Sequence, residues 1–425
     1  MASVAFLLGA GASVDAGLAT SNRLVSEFIT HVNGKSEQLS SFLTSLLEFA
    51  LPWKKNLLFF KRQQLPWLDD AWLLSQIGIE ERDLVPFNQG FKTQQAADAF
   101  NAWMDQNHPA QQYLNIEDLA RLLFEFDEDE FIDNPMSILV EDRGRIFLRS
   151  HRKEVRDLQT ELLTFIKWRL RQLINPSYLA SLSAVANLLG APQTLPVFTF
   201  NYDLAVETAC ANAGVTFTDG LPEGSMLSRL DFSAKAAQIL LYKLHGSLNW
   251  FTFQADALLL RKQGMSSLPY EEYRDRFMGG PPTGVYTGSD WIVKDNTKLD
   301  QFYADGLIQA MVFGTEQKMQ TAVPYFDLLR KFAEELSQVQ VLVTVGYGFG
   351  DLYINRMIVS FFNGFTESRP FKLVVVGPDF KSGQEFRMAR KLGLDLTGNN
   401  KQRYQALALT AKQALQNGAL LNAIK

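Results

Sequence analysis

The sequence predicts an α/β fold, with a Rossmann-like parallel sheet that carries helices on both faces and a mostly helical inserted lobe. Three observations predict this architecture. Short apolar runs alternate with helical stretches, each run is followed closely by Gly, Asn, His or Pro, and the middle of the chain has helical stretches but few strand-like runs. Continuous apolar strands that alternate with helices are typical of a parallel sheet covered on both faces.

The predicted strands are short runs that are mostly rich in Val, Leu or Ile. In chain order they are Val4–Leu8, Leu195–Phe200, Ile239–Leu244, Val339–Val345 and Leu373–Gly377. Helices are expected after them at Ser21–Val32, Leu204–Asn212, Pro324–Leu336 and Tyr353–Phe362. In open parallel sheets, ligands bind outside the carboxyl ends of the strands. The residues that follow the strands are therefore the candidates for a functional site.

The middle of the chain predicts the inserted lobe. Its helical stretches are Glu37–Ala50, Gln94–Met104, Glu117–Phe126 and Phe147–Ile174. We therefore assign residues 1–33 and 193–425 to the sheet domain and residues 34–192 to the lobe. The last stretch repeats apolar residues close to the helical period, namely Val155, Leu158, Leu162, Phe165, Ile166, Leu170 and Leu173. Such a stripe packs within its own lobe or forms a subunit interface, and both interpretations remain open.

The composition of the 425-residue chain is that of a folded globular protein, with 47% hydrophobic and 20% charged residues. Its net charge of -5 gives no overall attraction to nucleic acid or to an anionic membrane. The single cysteine, Cys210, excludes an intrachain disulfide and a cysteine-based zinc site, so we expect no metal. No apolar run approaches the roughly 20 residues of a membrane span, so we expect a cytoplasmic protein.

Small residues follow the first strand, in the order Gly9, Ala10, Gly11, Ala12 and Ser13. A backbone without bulky side chains can offer its N–H groups and the next helix N-terminus to a phosphate. The dinucleotide fingerprint would have a third glycine where Val14 stands, and the Gly-Lys-Ser/Thr of a P-loop is absent. The turn is therefore a phosphate cradle or a tight turn made of small residues for steric reasons.

Polar residues follow the next two strands. Asn201, in Thr-Phe-Asn-Tyr-Asp, suits a ribose hydroxyl or an attacking water, or it caps the next helix. His245 follows the third strand, in Lys-Leu-His-Gly-Ser. A histidine titrates near neutral pH and can accept a proton from a sugar hydroxyl, although a lone histidine is more often structural. Its place at a strand end, like that of Asn201, favours the functional interpretation.

The last two strands also end in candidate residues. A second glycine-rich turn, Val345-Gly346-Tyr347-Gly348-Phe349-Gly350-Asp351, passes under an adenosine ribose or only turns tightly. Asp379 follows the last strand and meets a ribose or adenine, or caps a helix.

Four of these motifs resemble the sirtuin superfamily in their order, over about residues 1–30 and 193–380. They are Gly-Ala-Gly-Ala-Ser, Thr-Phe-Asn-Tyr-Asp, Lys-Leu-His-Gly-Ser and the glycine-rich turn after Val345. They resemble the bacterial sirtuin-like proteins of antiphage defence more than the protein deacylases. Those defence proteins include NAD-degrading effectors, some paired with a HerA-like hexameric ATPase. The resemblance implies that Gly9, Ala10, Gly11, Ala12 and Ser13 cradle the NAD phosphates. It further implies that Asn201 and Asp203 form the Asn-x-Asp element at the nicotinamide ribose and that His245 is the catalytic histidine. On the adenosine side, the resemblance implies binding by Gly346, Gly348 and Phe349. It places Asp379 near the adenine.

Two departures argue against acyl-lysine chemistry. The four-cysteine zinc module of the deacylases is missing, and residues 18–23 do not match the deacylase Ile-Pro-Asp-Phe-Arg. The resemblance to the defence proteins therefore implies an NAD glycohydrolase that yields nicotinamide and ADP-ribose and acts as an antiphage effector, with Asp203 orienting the reacting groups or supporting the loop. The same resemblance implies a homo-oligomer, for which a HerA-like ATPase is a candidate partner. The alternatives are a deacylase or ADP-ribosyl transferase, and a non-catalytic nucleotide-sensing subunit.

Overall fold

The computed structural model describes residues 3–47, 115–124, 150–188, 194–222, 237–254, 290–294, 308–311, 325–364, 371–378 and 398–424, with a few isolated residues and short pieces besides. The chain divides into two compact units. The first comprises Met1–Leu18, Lys167–Glu385 and Asp395–Lys425, and the second comprises Ala19–Ile166 and Phe386–Leu394. These bounds are not those of the predicted lobes, because residues 19–33 lie in the second unit and residues 167–192 in the first.

The strands of the first unit form two sheets. In chain order they are β1 Val4–Leu8, β2 Leu195–Thr199, β3 Phe217–Thr218, β4 Met226–Leu227, β5 Ile239–Lys243, β6 Gly246–Gln254, β7 Asp290–Lys294, β8 Ile308–Met311, β9 Val341–Val345, β10 Lys372–Val376 and β11 Tyr404–Leu407. Seven of them form a parallel sheet in the order β11-β10-β9-β1-β2-β5-β3. The predicted Rossmann-like sheet is confirmed, and each of its five predicted strands lies within two residues of its expected bounds.

The helices are, in chain order, α1 Ser21–Lys35, α2 at 37–47, α3 Ile116–Phe124, α4 Arg152–Leu170, α5 Ser181–Leu188, α6 Ala205–Ala213, α7 Tyr325–Gln338, α8 Leu352–Asn363, α9 Ala411–Gln416 and α10 Ala419–Ile424. Consecutive residues of β2 show that both faces of the sheet are covered. Val197 belongs to the same core cluster as Ala209 of α6. The ring of Phe198 meets Phe332 of α7 edge-on, with centroids 4.8 Å apart. Because successive side chains of a strand point to opposite faces, α6 and α7 cover different sides.

The order of the strands locates the crevice of the sheet. After β1 the chain continues to β2, which lies beside β1 toward the β3 edge of the sheet. After β9 it continues to β10, which lies beside β9 toward the opposite, β11 edge. Strands β1 and β9 are neighbours, so the topology reverses between them. Ligands of open α/β sheets bind at such a reversal, outside the carboxyl ends of the strands.

A second sheet was not expected from the sequence. It is antiparallel, with the order β4-β7-β6-β8, and β6 begins at Gly246, directly after the His245 position. Strand β6 pairs with β7 and β8, whose residues lie more than 35 positions away along the chain. Antiparallel pairing over such a separation depends on tertiary context more than on a local pattern.

The second unit is helical in the residues that the structure describes, as predicted for the lobe. The apolar stripe of α4 is buried: Leu158, Leu162 and Ile166 are inaccessible to solvent. The Phe165 ring lies 5.4 Å from that of Phe28 on α1. Of the two open interpretations, packing within the chain therefore accounts for this face of α4.

A charge placed on this face is expected to unfold the helical unit. In Leu162→Glu, a carboxylate would replace a fully buried leucine. An uncompensated buried charge costs about 3–5 kcal/mol, so circular dichroism and denaturant unfolding should show a large loss of stability. The matched control is Thr164→Glu, which places the same charge at an exposed position of the same helix. If Leu162→Glu were as stable as this control, α4 would not be part of the core.

No helix in the described part of the chain is long and apolar enough to cross a membrane.

Candidate functional site

Five strands of the parallel sheet end on one line. Leu8 of β1 pairs with Thr199 of β2 and with Val345 of β9, and the line continues to Lys243 of β5 and Val376 of β10. Within two residues of these ends come Gly9, Asn201, His245, Gly346 and Gly377. Residues that are up to 368 positions apart in the sequence therefore lie along one edge of the sheet, at the crevice between β1 and β9.

The two glycine turns pack directly against each other. The Gly9 N–H donates to the Val345 carbonyl and the Gly11 N–H donates to the Gly346 carbonyl, both at 3.0 Å. A β-carbon added at Gly11 would lie 2.7 Å from the Gly346 α-carbon, and one at Gly346 would lie 2.3 Å from the backbone of Gly11 and Ala12. Gly346 also has a positive φ of 61°. Two backbones meet here where side chains would not fit, so close packing requires glycine at these positions.

The rest of the first turn is fixed from behind. Residues Ala10–Ala16 form a 3-10 helix, in which Ala12 and Ser13 are buried. The buried Tyr178 hydroxyl donates to the Ala12 carbonyl at 2.5 Å. A turn held in this way keeps one backbone shape, which is a requirement for cradling a phosphate.

Asn201 connects the end of β2 to the first glycine turn. Its side-chain amide donates to the Gly9 carbonyl and to the Ser13 hydroxyl, each at 3.0 Å. Its backbone N–H donates to the Thr199 hydroxyl at 3.0 Å. Both N–H groups of the amide are thus used, and Oδ1 is the atom of this side chain that can accept a hydrogen bond from a ligand hydroxyl or water.

Asp203 lies in the protein interior beneath this connection. Its carboxylate accepts from the Ala205 N–H at 2.9 Å and is also hydrogen-bonded to the Ser13 side chain. Burial raises the pKa of Asp203 above its usual range, against the opposing effect of the nearby Lys243 ammonium. These contacts favour the loop-supporting role over a direct role at the reacting atoms.

Lys243 secures the same region from β5. Its fully buried ammonium donates to the Asp203 carbonyl oxygen at 2.5 Å and to Glu207 Oε1 at 2.8 Å. Burial raises the pKa of Glu207, and the ion pair with Lys243 opposes that rise. The sequence did not identify this pair, because a lysine within an apolar strand gives no indication of its partner.

His245 is buried, with 3% of its side chain exposed. Its ring meets Phe200 edge-on at a centroid distance of 4.8 Å and lies 6.0 Å from the Tyr202 ring. Its Nε2 atom lies 3.7 Å from Oδ2 of Asp351. The histidine is therefore enclosed by residues that follow β2 and β9, as expected if the strand ends form one site.

The second glycine turn contributes aromatic side chains and an acid. The Tyr347 ring stacks on Phe200 at 4.7 Å and contacts Phe349 at 4.6 Å. Phe349 is buried at a positive φ of 53°, which is uncommon outside glycine and is typical of constrained functional turns. Gly348 is exposed, and a β-carbon added to it would meet open space. Asp379 lies outside the described residues.

Asp351 is the residue that sequence reasoning missed as part of the site. It is the N-cap of α8, with Oδ1 accepting from the Tyr353 and Ile354 N–H groups at 3.0 and 3.1 Å. An aspartate before an apolar helical stretch indicates a cap, which is how the sequence would have found it. Its approach to His245 is visible only in three dimensions. Among the described residues, no group of three or more His, Cys, Asp or Glu side chains could hold a metal ion.

Comparisons with known proteins agree with the resemblance at the level of a domain family. Residues 196–396 match the family model described as SIR2-like domain, which supports a sirtuin-like family. The match starts after the first glycine turn. None of the curated proteins compared with the chain matches it.

Similar solved structures include three described as Sir2 proteins. A Sir2 homolog–NAD complex is 12% identical, with 100% of this chain and 91% of that chain covered and a TM-score of 0.36. A Sir2 enzyme from a study of mechanism and regulation is 11% identical, with 99% and 92% covered and a TM-score of 0.31. A Sir2 protein bound to a propionylated peptide is 13% identical, with 66% and 83% covered and a TM-score of 0.31.

Proposed function

We propose that this chain is an NAD glycohydrolase, which cleaves NAD to nicotinamide and ADP-ribose. The observation that carries the proposal is the gathering of Asn201, His245 and both glycine turns at one edge of a parallel sheet, around its topological reversal. The match to a SIR2-like domain supports NAD use at the family level.

The proposed reaction is a glycosyl transfer to water. The bond between C1′ of the ribose and the nicotinamide nitrogen breaks, and its electron pair leaves with nicotinamide. The water oxygen bonds to C1′, and one water proton passes to His245. The transition state has oxocarbenium character, so the water must be held close to C1′ while bulk solvent is excluded.

The described residues suit these tasks. Asn201 Oδ1 accepts a hydrogen bond from the ribose or the water, while its N–H groups remain on Gly9 and Ser13. The rings of Phe200 and Tyr202 enclose the His245 imidazole and lower the local polarity. The first glycine turn binds the phosphates of NAD. The second turn, with Gly348 and Phe349, binds the adenosine side. Asp379 is assigned to the adenine.

The deciding experiment measures nicotinamide release. The purified full chain is incubated with NAD alone, with NAD plus an acetyl-lysine peptide, and with NAD plus a strong chelator. We expect equal release of nicotinamide in all three, with free ADP-ribose as the second product. Release that requires the peptide, with formation of acylated ADP-ribose, would instead identify a deacylase, and transfer of label from NAD to protein would identify an ADP-ribosyl transferase. NAD that stabilises the chain but stays intact would identify a nucleotide-sensing subunit.

The resemblance supports two further parts of the proposal, which are that the chain is an antiphage effector and that it assembles as a homo-oligomer with a HerA-like ATPase. Mass measurement of the purified chain by light scattering, alone and after co-expression with such an ATPase, tests the assembly.

A further inference from the structure

We propose that Asp351 is a positioning residue for His245, which holds the imidazole with its Nε2–H toward Oδ2 and so presents Nδ1 as the proton-accepting nitrogen. The inference rests on the proposed function, because it assigns the atom of His245 that acts in that reaction. It is carried by the placement of two buried groups, the His245 imidazole and the Asp351 carboxylate, within 3.7 Å of each other.

The carboxylate of Asp351 is held in place by the first turn of α8. Oδ1 accepts hydrogen bonds from two N–H groups of the first turn of α8, at 3.0 and 3.1 Å. The side chain is 6% exposed. One oxygen is thus committed to the helix, and the other, Oδ2, lies 3.7 Å from His245 Nε2. A helix cap requires one oxygen, so Asp351 can cap α8 and place Oδ2 beside the histidine at the same time.

The turn that carries Asp351 is fixed as well. The Asn355 side chain donates to the Phe349 carbonyl at 2.9 Å, and the Tyr347 hydroxyl donates to Asn355 Oδ1 at 3.0 Å. Tyr347 also stacks on Phe200, which contacts the His245 ring. The carboxylate and the imidazole are therefore positioned by one connected set of side chains, and little reorganisation is needed for them to approach further when NAD binds.

Electrostatics then determines the tautomer. An anionic oxygen beside Nε2 favours a proton on that nitrogen, and the interaction is strong because both groups are removed from water. A neutral imidazole carries one N–H, so Nδ1 keeps its lone pair. Acid–histidine pairs fix the tautomer and orientation of the imidazole in this way.

The test uses a substitution that separates the cap from the charge. Asp351→Asn retains an Oδ1 atom that can cap α8, and asparagine is as good an N-cap as aspartate. It replaces the oxygen beside Nε2 with an amide that donates. We expect an unchanged melting temperature, an unchanged KM for NAD and a kcat lowered by about 100-fold or more. Asp351→Ala should also lower the melting temperature by about 2–4 °C, because the cap is lost.

A second readout does not depend on NAD cleavage. Nitrogen-15 spectra of the histidine rings, with the His245 signals assigned by their loss in His245→Ala, report which ring nitrogen carries the proton. We expect the Nε2–H form in the parent and loss of that preference in Asp351→Asn. Asp327→Asn, which changes a first-turn aspartate of α7 in the same way, serves as the control and should change neither readout.

The outcomes separate this inference from the proposed function. If the parent released no nicotinamide while its spectra showed the Nε2–H form that Asp351→Asn loses, the proposed function would fail and the Asp351–His245 pairing would stand. If Asp351→Asn kept the parental kcat and the parental spectra, Asp351 would be a helix cap only, whatever reaction the chain catalyses.

Discussion

Removal of His245 or the Asn201 side chain is expected to reduce NAD cleavage by about 100-fold or more, as for a positioned acid–base group. The assay is nicotinamide release by His245→Ala and Asn201→Ala at saturating NAD. His245→Gln is added because the histidine is buried against Phe200, so that the alanine leaves a cavity. Glutamine fills more of that space and cannot accept and release a proton as an imidazole does.

Loss of the Asn201 side chain should also lower the free energy of unfolding. Asn201→Ala removes two hydrogen bonds, to the Gly9 carbonyl and to the Ser13 hydroxyl, each of which contributes about 0.5–1.5 kcal/mol. For the turnover assay, His31→Ala is the matched control of the His245 variants. His31 lies in the helical unit, where it pairs with Glu161 at 2.6 Å. We expect it to keep parental turnover. Turnover near the parental rate in His245→Gln, with the protein folded, would refute the assignment of His245.

Gly346→Ala is expected to destabilise the sheet unit by about 2–5 kcal/mol, the sum of overpacking and of a left-handed backbone in a non-glycine residue. Its new methyl group would lie 2.3 Å from the backbone of the first glycine turn, where no flexible side chain can move aside. Denaturant unfolding of the purified variant measures this loss.

The same motif provides the control. Gly348→Ala adds the same methyl group two residues later, at a position with open space and no positive φ. We expect its stability to match the parent within about 0.5 kcal/mol. Equal stability of the two alanine variants would contradict the direct packing of the two turns.

Local patterns were enough to predict five of the seven strands of the parallel sheet, all except β3 and β11, and the polar residues that follow them. An apolar run of about five residues that ends in Gly, Asn or His indicates a buried strand and its end, because burial on both faces and backbone freedom at a turn act over neighbouring residues. Asn201, His245 and Gly346 could be selected as site candidates for this reason.

The partners of these residues were decided only by the tertiary structure. The reversal of topology between β1 and β9, the packing of Gly11 on Gly346, and the approach of Asp351 to His245 each join residues more than 100 positions apart. The antiparallel sheet and the burial of Leu162 on α4 also depend on contacts between distant parts of the sequence. Which strands pair and which faces are covered depends on the packing energy of the whole chain. A local sequence pattern does not determine that energy.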